Sequence, residues 1–348
     1  MPQAPEKARL AHAIRDDDVG GVRRLVQQYP NLRDENVLGP DSNWGPPMSH
    51  AANLGRTRIV EALHELGATD VQWAFDRACL QGHIDLARRL VEMGATLQPG
   101  IVMGPAETQN GPGMQFLLEA GADVSDAAGD PVAPVAMVLE TYCRDPLGKH
   151  QCLELFAAHG VELPDTPPMA VHRGRVDLLQ AHLGREPDVL ARTWSHEEIY
   201  PPELGCHEDP TLALHGTPLA GAGLLHLCVD NDEIELARWL LEQGADPNQS
   251  AEVDADGFGG HTAIFGCVVS QTWEVGLRRD AEFARLLLAA GADPNHRASL
   301  RKQLRFVADE AMHEYHDVTP TGWGRQFHDR AWVNTAVLDL LGTADTRS

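Results

Sequence analysis

One phrase recurs along this 348-residue chain and limits what it can fold into: apolar residues at helical spacing, closed by a glycine and a polar turn. The clearest copy runs from Leu225 to Asn248. Within it, Ile234, Leu236, Ala237, Leu240 and Leu241 fall on one face of a helix. Gly244 follows, a residue that enters the left-handed region without a Cβ penalty and so ends the helix, and Asp246-Pro247-Asn248 turns the chain. A brief apolar segment ahead of it, Leu225-His226-Leu227-Cys228-Val229, reads as a first, shorter helix. Residues 283–295 repeat the phrase nearly verbatim, and weaker copies lie at 59–69, 84–96, 114–123 and 152–163. Their helix-ending glycines are Gly67, Gly94, Gly121 and Gly160. A helix pair of this size cannot bury its apolar face alone, so the pattern predicts copies stacked side by side.

The closings at Gly244 and Gly291 are intact, Gly-Ala-Asp-Pro-Asn in both. Degraded openings stand at Pro46-Pro47-Met48-Ser49, Gly223-Leu224-Leu225-His226 and Thr262-Ala263-Ile264-Phe265. Together these resemble the ankyrin-repeat family, whose units open on a Thr-Pro-Leu-His-like segment. The resemblance implies an all-α solenoid of about eight helix-turn-helix units with long inserted loops. It is read as one domain over residues 1–348, with shorter repeats over 1–165 and loop-bearing repeats over 166–348. It also implies a binding module that grips another protein with its concave face and loop tips. His226 holds the histidine place of the opening motif, where a hydrogen bond to the backbone at the helix start is expected. Residues 8–29 and the segment from Val318 to Leu341 read as caps, and residues 171–188 echo the first unit, which points to an internal duplication.

Departures from regularity carry the functional reading. Gly67, Gly94 and Gly121 are spaced by 27 residues, shorter than the usual ankyrin period of about 33. Gly160 to Gly244 spans 84 residues and Gly244 to Gly291 spans 47. The surplus falls at 33–45, 191–219, 250–260, 270–279 and 298–318. Long irregular loops within a compact fold lean towards function. These hold the candidate ligand-binding residues: Trp44, His196, Glu197, His207, Asp209, His261, Trp273, His313 and His316, with Trp323 just beyond. Risen on one side, they would enclose a polar pocket.

Each candidate has a plainer reading beside the functional one. If residues 307–315 are helical, Glu310, His313, Glu314 and Asp317 share a face that could hold Zn²⁺ or Mn²⁺ or act as an acid/base pair, and a solvated face looks the same. His196-Glu197-Glu198 lacks the second histidine of a zinc-hydrolase helix, since Tyr200 stands there. Asp254-Ala255-Asp256-Gly257 lacks the closing glutamate of a calcium loop, since Phe265 stands there. The following Gly-Phe-Gly-Gly-His turns sharply and either presents His261 or forms an ordinary repeat hairpin. Trp323, flanked by Gly322 and Gly324, suits either close approach to a ligand or packing between repeats.

Charge narrows the partners. Acidic residues number 51 against 28 basic ones, a net charge of −23, so nucleic acid and anionic membrane surfaces are repelled. A protein partner of cationic character is expected, or one held by aromatic and polar loop contacts. The basic pairs Arg278-Arg279 and Arg301-Lys302 are left as candidates for a small anionic ligand. No apolar run is long enough to span a bilayer, the first residues read as a polar lead-in, and six scattered cysteines form no CxxC pair. A cytoplasmic protein is expected. The competing reading is a small enzyme or carbohydrate-like ligand binder with a His/Asp/Glu pocket, metal-assisted or not, built from loops of the C-terminal half. No cofactor follows from the sequence.

Overall fold

Gly67, Gly94, Gly121, Gly160, Gly244 and Gly291 all adopt φ between +88° and +109° in the computed structural model. It describes residues 5–39, 42–271 and 280–344. Beyond each glycine the next amide returns to the last helical turn, as in Ala68 N–H to the Leu63 carbonyl at 3.0 Å and Ala245 N–H to Leu240 at 3.0 Å. This is the left-handed closure expected from the repeated phrase. A second left-handed set joins the two helices of a pair, at Asp17, Gly55, Gly82, Gln109, Gly174 and Asp232 (φ +51° to +71°). Half of those positions are not glycine, which is why the sequence pattern does not show them.

The chain divides into two compact units, Met1–Pro134 and Val135–Ser348. In the first, helix pairs run Pro5–Arg15 with Val19–Gln28, Pro47–Asn53 with Thr57–Glu65, Val71–Leu80 with Ile84–Glu92, and Met103–Glu107 with Gly111–Glu119. Pro47–Asn53 packs on Val71–Leu80, which packs on Met103–Glu107. Ala51, Ala52, Ala74, Ala78 and Ala106 are all buried in these short helices, and their small side chains permit close stacking. Asp70 fastens one pair to the next by accepting from Ser49 N–H at 2.9 Å and Ser49 Oγ–H at 2.6 Å.

In the second unit the same stacking passes from Pro167–His172 to Leu224–Asp230, Ala263–Val268 and Pro320–Gln326. Residues 186–223 intervene between the first two of these helices, yet the two pack directly. The insertion does not interrupt the apolar stack but packs beside it, with Trp194, Tyr200, Leu204 and His215 buried.

The expectation of an all-α chain is corrected at one place. Strands β1 (Ala298–Lys302) and β2 (His313–Val318) form an antiparallel hairpin. The helix expected over 307–315 is absent, and with it the shared face of Glu310, His313, Glu314 and Asp317. Ala298, Leu300 and Lys302 alternate inward along β1, and Tyr315 and Val318 are the buried positions of β2. Period-two burial against a partner strand outweighs the helical spacing of four polar residues, which have no apolar face to anchor a helix.

No atom crowds the open side of Gly244, so it is required for its backbone conformation alone. Gly244→Ala is expected to lower stability by about 1 kcal/mol and Gly244→Asn by less, read from urea unfolding followed by circular dichroism.

Candidate functional site

An irregular loop has no strand or helix ladder to take its carbonyls, so buried donors must come from elsewhere. For residues 191–222 they come from side chains of the repeats and of β1. The fully buried Lys302 donates from Nζ to the Ala213 carbonyl at 2.7 Å. Arg144 donates from Nη2 to the Leu214 carbonyl at 2.6 Å. His172, His196 and His261 donate from Nε2 to the carbonyls of Ile199 (3.0 Å), Glu208 (3.1 Å) and Pro218 (2.9 Å). Thr217 Oγ1 donates to the Val269 carbonyl at 2.8 Å and accepts from Trp323 Nε1 at 3.1 Å. The loop begins on a capping box, Ser195 with Glu198, that starts the short helix His196–Ile199. It closes where Trp194 N–H meets the Ala222 carbonyl at 2.9 Å.

Of the two cations that pin this loop, Arg144 is ion-paired, and a second buried cation, Lys149, lies nearby with its own acid. Arg144 meets Asp230 Oδ2 at 3.1 Å and the Asp230 carbonyl at 2.9 Å, with both side chains buried. Lys149 reaches Glu233 at 3.1 Å and Asn231 Oδ1 at 3.0 Å, and His150 reaches the same Glu233 oxygen at 2.7 Å. Burial alone would raise the Glu233 pKa, but Lys149 and His150 hold it below the ordinary range. Burial pushes the Lys302 ammonium down to about 7, with Asp230 opposing. A repeat array needs none of these charges for packing. Arg144 and Lys302 hold the inserted backbone, whereas Lys149 and His150 tie the helix Pro146–Ala158 to Glu233, just beyond Leu224–Asp230.

The hairpin 250–262 closes the other wall. Asp254 Oδ1 accepts from Asp256 N–H and Phe258 N–H, each at 2.9 Å, and Gly257 turns the tip at φ +89°. This is the ordinary repeat hairpin, and His261 at its end is buried. At Gly259 (φ +122°) a Cβ would lie 1.9 Å from the Glu252 carbonyl, so glycine is obligatory there. Gly259 N–H donates to the Ser299 carbonyl at 2.7 Å and so ties the hairpin to β1.

Between the two loops and β1 opens a cleft of about 480 Å³. Much of its surface is apolar, contributed by the buried Phe258 and Leu300 and by Pro210, Pro218 and Val253. Glu197, Glu252 and Asp254 are exposed at its edge. Arg301 also lines it, stacked over Phe258 at 4.9 Å and paired with Asp254 (2.8 Å) and Asp256 (3.0 Å).

Of the sequence candidates, His196, Glu197 and His261 meet in this cleft. The other ligand-binding candidates among the described residues do not line it. Asp209 is adjacent and shapes the wall, its Oδ1 accepting from Thr211 N–H (2.8 Å) and Oγ1–H (2.6 Å). His207 is exposed, and its amide donates to Glu140 at 3.3 Å. His313 stacks on His328 at 4.0 Å and reaches Asp309 at 3.0 Å, while His316 lies over Phe258 at 5.3 Å. Trp323 is fully buried, edge-on to Tyr315 at 4.7 Å, and belongs to the packing between elements. Trp44 lies in the other unit beside His50, with ring centroids 5.2 Å apart. Trp273 and the Arg278-Arg279 pair lie outside the described residues. Arg301-Lys302 is not free for an anion, since one member is ion-paired and the other buried. Among the described residues no three His, Cys, Asp or Glu side chains are placed to hold a metal ion.

A carbonyl can only accept, so His172, His196 and His261 each carry their proton on Nε2. His226 does the same toward the His261 carbonyl at 3.1 Å, while its Nδ1 accepts from Gly223 N–H at 3.2 Å, the helix-start role expected of it. Burial lowers the pKa of His172 and His261 to about 3 and of His226 to about 4, and lowers His196 as well. These rings are neutral structural donors.

The residues that the sequence reading missed are Arg144, Lys149, Asp230 and Glu233, and Lys302, read there as part of an anion site, is a buried donor to the loop instead. One signal was available: Lys149, Cys152, Leu153 and Phe156 share one helical face, and all four are buried.

A histidine with a depressed folded pKa binds fewer protons folded than unfolded, so stability falls as pH drops from about 6.5 toward 3. Each buried histidine adds about 1.4 kcal/mol per pH unit inside its own window. Unfolding free energies measured across this range should fall steeply, and His261→Gln, which keeps an amide donor without titrating, should make the slope shallower. Lys302→Met removes the donor to Ala213 and should speed amide exchange across residues 205–220 by at least about tenfold, an amount corresponding to about 1.4 kcal/mol.

The ankyrin-repeat family model matches residues 221–252. The matched stretch begins at Gly221 and ends at Glu252, both of which line the cleft. No curated protein matches the chain.

Proposed function

We propose that this protein is an interaction module whose contact surface is the cleft formed by its inserted loops. An ankyrin repeat points to protein–protein interaction in general, and the family match is to one such repeat. The observation that carries the finer reading is the loop geometry. Two long insertions and a β-hairpin meet around one largely apolar cleft, and buried side chains hold their backbones in place. Such a surface is ready before a partner arrives, which reduces the ordering entropy that binding must overcome. Val253, at the cleft wall, is 61% exposed, an apolar side chain open to a partner. A cleft of this volume takes one or two side chains, so the partner would anchor there and use the surrounding loops for the rest of its contact.

The enzymatic alternative has less support. His196 and His261 use one ring nitrogen on a carbonyl, and the other, Nδ1, is buried without a partner. Neither is poised to move a proton for a substrate. A small polar ligand in the same cleft remains the competing occupant. A cytoplasmic location is part of this proposal, since a reducing medium suits the six unpaired cysteines.

The test is steric. Ala220 is exposed and lines the cleft, so Ala220→Trp would fill it with little effect on the core. Leu147, 79% exposed and not among the lining residues, serves as the control position. Chemical cross-linking in the source cell should trap a protein on the wild type and on Leu147→Asp, and lose it on Ala220→Trp. Equal trapping by all three would reject the cleft as the contact surface.

A further inference from the structure

We infer that the cleft receives an extended peptide segment in which a lysine or arginine neighbours an apolar side chain. The inference rests on the cleft being the partner contact, and it adds the chemistry of the partner.

The charges at the edge do not cancel locally. Among the described residues that line the cleft, Arg301 is the one cation, and it is engaged by Asp254 and by Asp256. Glu197 and Glu252 keep neutral partners. Hydrogen bonds from its own backbone amide and from Ser195 hold Glu197 below the ordinary carboxylate range, and Glu252 accepts from Thr193 Oγ1–H. Both carboxylates therefore line the cleft with negative charge that is ion-paired to no cation among the described residues. The wider chain adds to that field, with a net charge of −23.

This combination selects the ligand. An anionic or acidic segment would be repelled by the edge, and a purely polar cation would leave Val253 and the lining prolines, Pro210 and Pro218, without contact. A lysine or arginine satisfies both, because its alkyl stem lies on apolar surface while its head reaches a carboxylate. An adjacent leucine or similar side chain would fill the remaining volume. The rigid backbone around the cleft favours a flexible, extended segment over a folded surface, since 480 Å³ admits side chains and not a domain.

The experiment uses the full chain and fluorescein-labelled decapeptides in a Gly/Ser background with a central Lys-Leu-Arg, Gly-Leu-Gly or Glu-Leu-Glu, with unlabelled spermine as competitor. Fluorescence polarisation should show the basic peptide binding at least about tenfold tighter than the neutral one at about 50 mM salt, with most of that advantage gone at about 500 mM. Glu197→Lys combined with Glu252→Lys should erase the preference, with an unchanged circular dichroism spectrum and melting temperature showing that the fold survives. Ala220→Trp should abolish binding of every peptide. Basic and neutral peptides binding alike, or the double reversal leaving the preference intact, would overturn the inference. Spermine displacing the basic peptide at equal concentration would also overturn it, since a site for bare polycations makes no use of the apolar lining. If Ala220→Trp loses the cross-linked partner while charge has no influence, the contact surface stands and its chemistry falls. If Ala220→Trp changes nothing, the contact surface itself is rejected.

Discussion

The second unit depends on the requirement that a buried carbonyl have a donor. Residues 191–222 run through the protein with little regular structure, and unsatisfied peptide groups there would each cost about 1–3 kcal/mol. Arg144 and Lys302 answer this for two consecutive carbonyls, Leu214 and Ala213. Imidazoles answer it at Ile199, Glu208 and Pro218. Arg144 and Lys302 bring charge into the interior, and Asp230, ion-paired with Arg144, compensates it. The polar interior and the shape of the loop are one arrangement.

The stacked helices make that arrangement possible. Because Pro167–His172 packs on Leu224–Asp230, which packs on Ala263–Val268, the apolar stack is continuous past the insertion at residues 186–223. An insertion in a repeat array needs to satisfy only its own backbone and the neighbouring side chains. Asp230 and His226 show the economy of this: both sit on Leu224–Asp230, inside the repeat, and both serve the loops beside it.

The histidines illustrate how composition can mislead. Their concentration in the insertions suggests a convergent polar pocket, and His196 and His261 do border one. Their hydrogen bonds, however, are directed at backbone carbonyls, and burial keeps them neutral. What the cleft offers a partner is carboxylate at its edge and apolar surface within. The imidazoles hold its walls.

The left-handed closures at Gly67, Gly94, Gly121, Gly160, Gly244 and Gly291, the helix pairs and the position of the inserted loops were all legible in the residues. Each depends on local backbone preference or on helical spacing within a dozen positions. The β1–β2 hairpin was not legible, because β1 and β2 stabilise each other across an intervening loop and neither reads as a strand alone. Nor were the partners of Arg144 and Lys302, which lie 70 and 89 residues away along the chain. Local sequence determined where the chain bends and which faces are apolar. Only the folded stack decided which distant carbonyl each buried cation would reach, because that pairing is set by three-dimensional proximity and by the need to leave no interior dipole unmatched.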